Sequence, residues 1–246
     1  MKYLIAIVSL FSVSNIYAQG NGRNVLLQMA NAMQVKRSIS YDIFFTVKSS
    51  DTTSDTSRLA AHVEMQRVIT DTLMGGMVWI APTGNVGGLK YHPGTYMFYD
   101  LKNAYKVFIR TKNIMYQNPH VTKPARIFEA MPEAMVWKPF LKIGEIRKLA
   151  GNKYNITVLR DTVIGKRSCY SIMIKPVKTS IEWYWIWRVD KQDYMLVNWE
   201  QWVVYDDKSV QYEHFSIKSY QFDNVKDERF SAKQLPVDCK LNEIKR

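Results

Sequence analysis

Side chains that could ligate a metal, attack a carbonyl or cradle a phosphate are sparse in this sequence and poorly spaced for those tasks. The four histidines, His62, His92, His120 and His214, fall in different segments with no His-Glu-x-x-His or comparable ligand spacing, so no metal site is expected. Gly84, Gly87 and Gly88 lack the spacing, and the following Lys-Ser/Thr, of a phosphate loop; with Pro93 and Gly94 they read as turn residues. No Gly-x-Ser-x-Gly elbow is present. The carboxylate pairs Asp206-Asp207 and Asp227-Glu228 lie in polar, turn-like stretches and read as solvated turn residues. Asn155-Ile156-Thr157 matches a glycosylation acceptor, but inside a predicted strand the match is read as chance. These patterns predict no catalytic residue, no metal and no cofactor, hence a non-enzymatic chain.

The two cysteines, Cys169 and Cys239, would close a loop of about 70 residues, and the chain-entropy model gives such a bridge about 4 kcal/mol. No spacing signature brings them together, so a disulfide and two separate thiols both stand open at this level. There is no Cys-x-x-Cys for thioredoxin-type chemistry.

What remains is apolar and aromatic. In Ile181 to Val189, alternation puts Trp183, Trp185, Trp187 and Val189 on one face and Tyr184 and Ile186 on the other, with Trp199 and Trp202 following on the next strand. A strand apolar on both faces must be covered on both sides. One side is either ordinary core or the lining of a hydrophobic cavity, where rigid aromatics accept acyl chains or apolar peptide. The candidate lining is Phe45, Tyr99, Trp137, Phe140, Trp183, Trp185, Trp187 and Trp199. Twelve methionines suit an adaptable pocket, although scattered core filling explains them as well.

The elements that must hold these residues can be read in order. Residues Met1 to Ala18 read as a secretory signal peptide: Lys2, an apolar run from Leu4 to Val13, and Ala18 before a cut at Gln19. That run is too short to span a bilayer, and no later segment is long and apolar enough. Asn24 to Lys36 predicts a helix, with Val25, Leu26, Met29, Ala30 and Met33 at helical spacing. Ile39, Tyr41, Ile43, Phe45 and Val47 then alternate with polar residues, the pattern of a half-buried strand. Further strands read in Leu59 to Thr70, Met77 to Ala81, Thr95 to Asp100 and Ala104 to Thr111, the last two joined by the hairpin-sized Leu101-Lys102-Asn103. His120 to Ala150 breaks the β pattern with Pro124, Pro132 and Pro139, and carries helical pieces at Ala125 to Met131 and Glu145 to Ala150. Five more strands, from Tyr154 to Phe222, form a meander, and the tail from Asn224 is polar with Phe230 and Leu235 as anchors.

The expectation is α+β but β-dominated: about ten antiparallel strands in a strongly curved sheet or open half-barrel, with an N-terminal helix and a mid-chain helical lid. A composition 47% hydrophobic and 13% aromatic excludes general disorder. Residues 19–246 read as one domain, with 120–150 as the lid insert. The net charge of +12 is spread along the chain with no five-residue basic run, so nucleic acid is not an expected partner. Such charge suits an anionic membrane surface, where each Lys or Arg is worth about 1 kcal/mol.

The order of elements resembles the periplasmic outer-membrane lipoprotein carrier (LolA-like) family. The likeness is carried by the leading helix running into Ser38-Ile39-Ser40-Tyr41-Asp42, by Tyr96 to Tyr105, and by Trp187-Arg188-Val189-Asp190 followed by Tyr194 to Val197. The last two also resemble the N-terminal domains of some thioredoxin-like envelope proteins. The resemblance implies a half-barrel plugged by helices and an arginine that locks the lid, which no local motif assigns. It further implies a monomeric periplasmic protein that holds lipid, acyl chain or lipoprotein anchor. The alternative is an envelope interaction or sensor module whose interior is filled by its own side chains.

Overall fold

The computed structural model describes residues 21–49, 57–84, 94–121 and 136–244. The signal segment, and the helical piece expected at Ala125 to Met131, lie outside the described residues. The described residues pack as two compact units, one drawn from residues 21–35, 48–49 and 143–215, the other from 36–47, 57–84, 94–121, 136–142 and 216–244.

The second of these begins with β1 (Ser38–Ser49), β2 (Ser57–Arg67) and β3 (Gly76–Pro82), and continues with β4 (Thr95–Tyr99), β5 (Ala104–Phe108) and β6 (Asn113–Gln117). Each pairs antiparallel with the next. The alternation in β1 does what it predicts: Ile39, Tyr41 and Ile43 are fully buried, while Ser40 and Asp42 face the other way. The register sets Tyr41 opposite Val63 and Asp42 opposite His62, and carries on through Glu64–Trp79, Trp79–Phe98, Phe98–Tyr105 and Tyr105–Tyr116. One sheet face is therefore aliphatic with two tyrosines, and the other runs from polar to aromatic.

The β2–β3 connection is organised by Asp71, whose carboxylate accepts from the backbone N–H groups of Leu73, Met74, Gly75 and Gly76 at 2.9–3.3 Å. Gly76 (φ +156) lies so close to β2 that a Cβ would stand 2.1 Å from the Gln66 carbonyl oxygen, so only glycine fits. The hairpin at Leu101 closes as expected, with the Asp100 carboxylate accepting from the Lys102 and Asn103 amides. After the undescribed stretch the chain returns as the short α2 (Lys138–Leu141), whose Pro139 sits in the first turn where its missing N–H costs nothing.

In the other unit, helix α1 (residues 21–34) buries Val25, Leu26, Met29, Ala30 and Met33. It begins before Asn24, the expected cap. Arg23 ties it to the Ala150 and Tyr154 carbonyls, and Arg147 of α3 (Ile143–Leu149) donates to Gln34 at 2.5 Å. β7 (Tyr154–Ile164), β8 (Arg167–Pro176), β9 (Glu182–Asp190) and β10 (Leu196–Val204) pair antiparallel in sequence order.

β11 (Val210–Phe222) contributes to both units, pairing with β10 and with β1. Asp223 (φ +57) turns the chain out of it and accepts from the Arg37 and Ser38 amides. Two 3-10 turns, Asp227–Phe230 and Ala232–Gln234, lead to β12 (Lys240–Glu243), parallel to β6.

The β-dominated α+β class with an open sheet is as the sequence predicts, but among the described residues the sheet has twelve strands rather than about ten. β6 and β12 are the additions. Neither has a periodic apolar run: β12 is Lys-Leu-Asn-Glu, and it is held by its backbone pairing to β6. No helix among the described residues is long and apolar enough to cross a membrane.

Candidate functional site

The aliphatic face of the unit containing β1–β6 is closed by residues 136–142. Trp137 (2% exposed) and Phe140 (0%) enter this core with their rings 5.9 Å apart. Burying an aromatic removes about 150–250 Å² from water, so each ring contributes several kcal/mol as an upper bound.

The polar ties of this segment to the sheet come from side chains. Arg67, at the end of β2, donates from Nε (3.0 Å) and Nη2 (2.6 Å) to the Phe140 carbonyl oxygen and from Nη1 to that of Lys36 (2.9 Å). Its guanidinium also lies over the Phe140 ring, 4.6 Å from the centroid. The Tyr41 hydroxyl accepts from the Trp137 amide at 3.0 Å. Lys142 Nζ donates to the Leu73 carbonyl at 2.7 Å, in the loop that Asp71 holds. Burial pushes the Tyr41 phenol far above its usual range, so it stays a neutral hydroxyl. The Trp137 indole N–H is buried without an acceptor among the described residues, a defect of about 1–3 kcal/mol.

The opposite face of the same unit carries two clefts. One, of about 510 Å³, is lined by Asp42, His62, Glu64, Ser219, Lys226 and Arg229 among others. His62 Nδ1 lies 2.7 Å from Asp42 Oδ1 and Nε2 lies 3.3 Å from Glu64 Oε1, so the ring is satisfied as a doubly protonated imidazolium. Hydrogen bonding to Glu64, then to Asp42, raises its pKa against the opposing effect of burial. Ser219 Oγ donates to Asp42 at 2.5 Å and is the main reason that carboxyl is held low, with His62 adding to it. Burial pushes Glu64 up, but His62 and Arg229 outweigh it and hold the carboxyl below its ordinary value.

The second cleft, of about 360 Å³, is lined by Trp79, Tyr96, Phe98, Lys226, Glu228, Arg229 and Gln234. Its aromatic wall continues across the strands, with Phe98 and Tyr105 stacked at 4.6 Å. Phe230 is buried against that wall, which fixes the C-terminal segment over it. Arg229 lies over the Trp79 ring at 3.8 Å.

The structure brings together only part of the residues named from the sequence. Tyr99, Trp137 and Phe140 are all buried in the core of one unit, with the Tyr99 hydroxyl 3.1 Å from both Asp71 Oδ1 and the Leu101 carbonyl. Phe45, on β1, is half-buried. Trp183, Trp185, Trp187 and Trp199 belong to the other unit. Trp183 and Trp185 are half-buried with rings 4.7 Å apart, Trp187 is 6% exposed, and Trp199 stacks on Phe215 at 4.4 Å. None of the eight lines either cleft. The bridge left open between Cys169 and Cys239 is not formed: both are free, Cys169 buried on β8 and Cys239 half-buried beside the aromatic wall of the other unit. Among the described residues no group of three or more His, Cys, Asp or Glu could hold a metal.

Arg67, Lys226 and Arg229 were not singled out from the sequence, Tyr41 was read only as a strand residue, and His62 only as one of four scattered histidines. One signal was there for Arg67: it continues the inward parity of Leu59, Ala61, Val63 and Met65, where a cation needs an internal partner.

No family model matches the chain, and no curated protein matches it. Among solved structures the chain is similar to a LolA superfamily protein from Nitrosomonas europaea, with 9% identity over 87% of this chain and 99% of that one and a TM-score of 0.34. It is also similar to lipoprotein LppX from Mycobacterium tuberculosis, with 10% identity over 84% and 98% and a TM-score of 0.45. A third is LprF from Mycobacterium bovis, with 9% identity over 90% and 98% and a TM-score of 0.46.

Proposed function

We propose that this protein is an exported, non-enzymatic holder of a hydrophobic ligand (lipid, acyl chain or lipoprotein anchor) on the aliphatic face of its β1–β6 unit. The ligand takes the space that Trp137 and Phe140 occupy when the site is empty. The observation that carries the reading is the way residues 136–142 are held. Two aromatic rings fill an apolar interior, while Arg67, Tyr41 and Lys142 supply the polar ties. A cover held by a few side-chain bonds can be displaced without dismantling the sheet.

The unpartnered Trp137 indole N–H supports the same reading, since an oxygen of an entering ligand, or of solvent after displacement, would satisfy it. The His62 cluster supports a non-enzymatic role. Both ring nitrogens face carboxylates, so neither is placed to accept a proton from a substrate.

The test is direct. The mature protein, purified without detergent, is examined by native mass spectrometry and organic extraction, and then titrated with a fluorescent fatty acid. Co-purified lipid, or saturable probe binding that Arg67→Ala accelerates, is the expected result. Absence of both in the native protein and in the variant would overturn the proposal.

A further inference from the structure

We propose that the two adjoining clefts on the outer, polar-to-aromatic face of the β1–β6 unit form a second ligand site, for a small amphiphile bearing one anionic group, phosphate or carboxylate. This inference is independent of the interior site. The clefts share Lys226 and Arg229, so an anion between those cations places its apolar part against Trp79, Tyr96 and Phe98. Their volumes, about 510 and 360 Å³, fall in the range of small-molecule sites.

The charges in the polar cleft favour an anion. Both of its carboxylates are already engaged: Asp42 by Ser219 and His62, Glu64 by His62 and Arg229. His62 and Arg229 are paired with those carboxylates, and the cation left over in the cleft is Lys226, which none of the ion pairs found there among the described residues involves. Glu228 stands at the rim of the aromatic cleft and disfavours a second negative group there, which limits the ligand to one anion. The aromatic wall is fixed by the buried Phe230 beneath the same C-terminal segment that supplies both cations, so chain and anion are presented with a fixed spacing.

The experiment compares octyl phosphate and octanoate with octyl glucoside, octyltrimethylammonium and inorganic phosphate, by calorimetry on the mature protein at pH 6 and low salt. The two octyl anions are expected to bind about tenfold more tightly than octyl glucoside or inorganic phosphate, and octyltrimethylammonium weakest. Lys226→Gln should reduce the octyl anions to the level of the glucoside. Lys102→Gln, which removes the same charge elsewhere on the unit, should not. Equal binding of anion and glucoside would overturn the inference, as would equal loss in Lys226→Gln and Lys102→Gln. Inorganic phosphate binding as tightly as octyl phosphate would also overturn it, because the aromatic cleft would then play no part. Agreement between octyl phosphate and octanoate identifies shared anion chemistry, and a preference for one names the source.

Discussion

Replacing Arg67 by alanine removes the two guanidinium hydrogen bonds to the Phe140 carbonyl, the third to Lys36, and the cation over the Phe140 ring. A hydrogen bond to a charged group contributes about 1.5–3 kcal/mol, and a partly exposed cation–π contact about 0.5–1. Arg67 is half-buried, so solvent screening and the water that re-solvates the freed carbonyls reduce the sum. The Lys36 bond ties Arg67 to the segment before β1, and the share carried by the Phe140 contacts, about 2–4 kcal/mol, falls on the opening of residues 136–142. At about 1.4 kcal/mol per tenfold, opening should become roughly 30- to 1000-fold more frequent. Hydrogen exchange reads this directly. The Phe140 and Lys142 amides, bonded to the Trp137 and Lys138 carbonyls, should exchange faster by that factor. Amides of β4 and β5, paired strand to strand, should be nearly unchanged. Uniform acceleration across the sheet would show that Arg67 supports the whole unit and refute the idea of a separately releasable cover. No change at residues 136–142 would show that burial of the two rings alone holds it shut.

Tyr41→Phe should strand the buried Trp137 amide and cost about 1–3 kcal/mol, read as faster exchange of that amide and a lower unfolding midpoint. Gly76→Ala should destabilise by more than about 3 kcal/mol in denaturant titration, because the new methyl would meet the Gln66 carbonyl; a near-neutral result would place the loop wrongly. His62 has a raised folded-state pKa, so its contribution is fully present below its unfolded value of 6.5 and is lost as pH rises through the raised value. Stability of the native protein should fall across that window, and His62→Gln should flatten the profile there.

Strand β1, helix α1 and the Leu101 hairpin were legible because each is a local pattern: period two, helical spacing, and a short polar link between strands. β12 was not, because a parallel edge strand with one apolar residue leaves no periodic trace. The His62 cluster was hidden for a different reason. Period two places Asp42, His62 and Glu64 on the faces of their strands, but only the register pairs Asp42 with His62, and register is fixed by a connection the pattern does not determine. Aromatic density on β9 drew attention to Trp183 and Trp185, which are half-buried, while the fully buried aromatic layer gathers Tyr41, Tyr99 and Phe140 from segments far apart in sequence.

The parallel pairing of β12 with β6 has a bearing on solubility. β6 reads Asn-Ile-Met-Tyr-Gln, and through β12 its outer row of amides and carbonyls is spent within the same molecule. At this edge, opposite the one formed by β7, the sheet then offers a neighbouring copy a four-residue ribbon beginning with Lys240, short and charged, a poor template for intermolecular strand growth. A chain cut just after Pro236 would bare β6 instead, and its self-association should rise with concentration even though the rest of the sheet keeps its pairing.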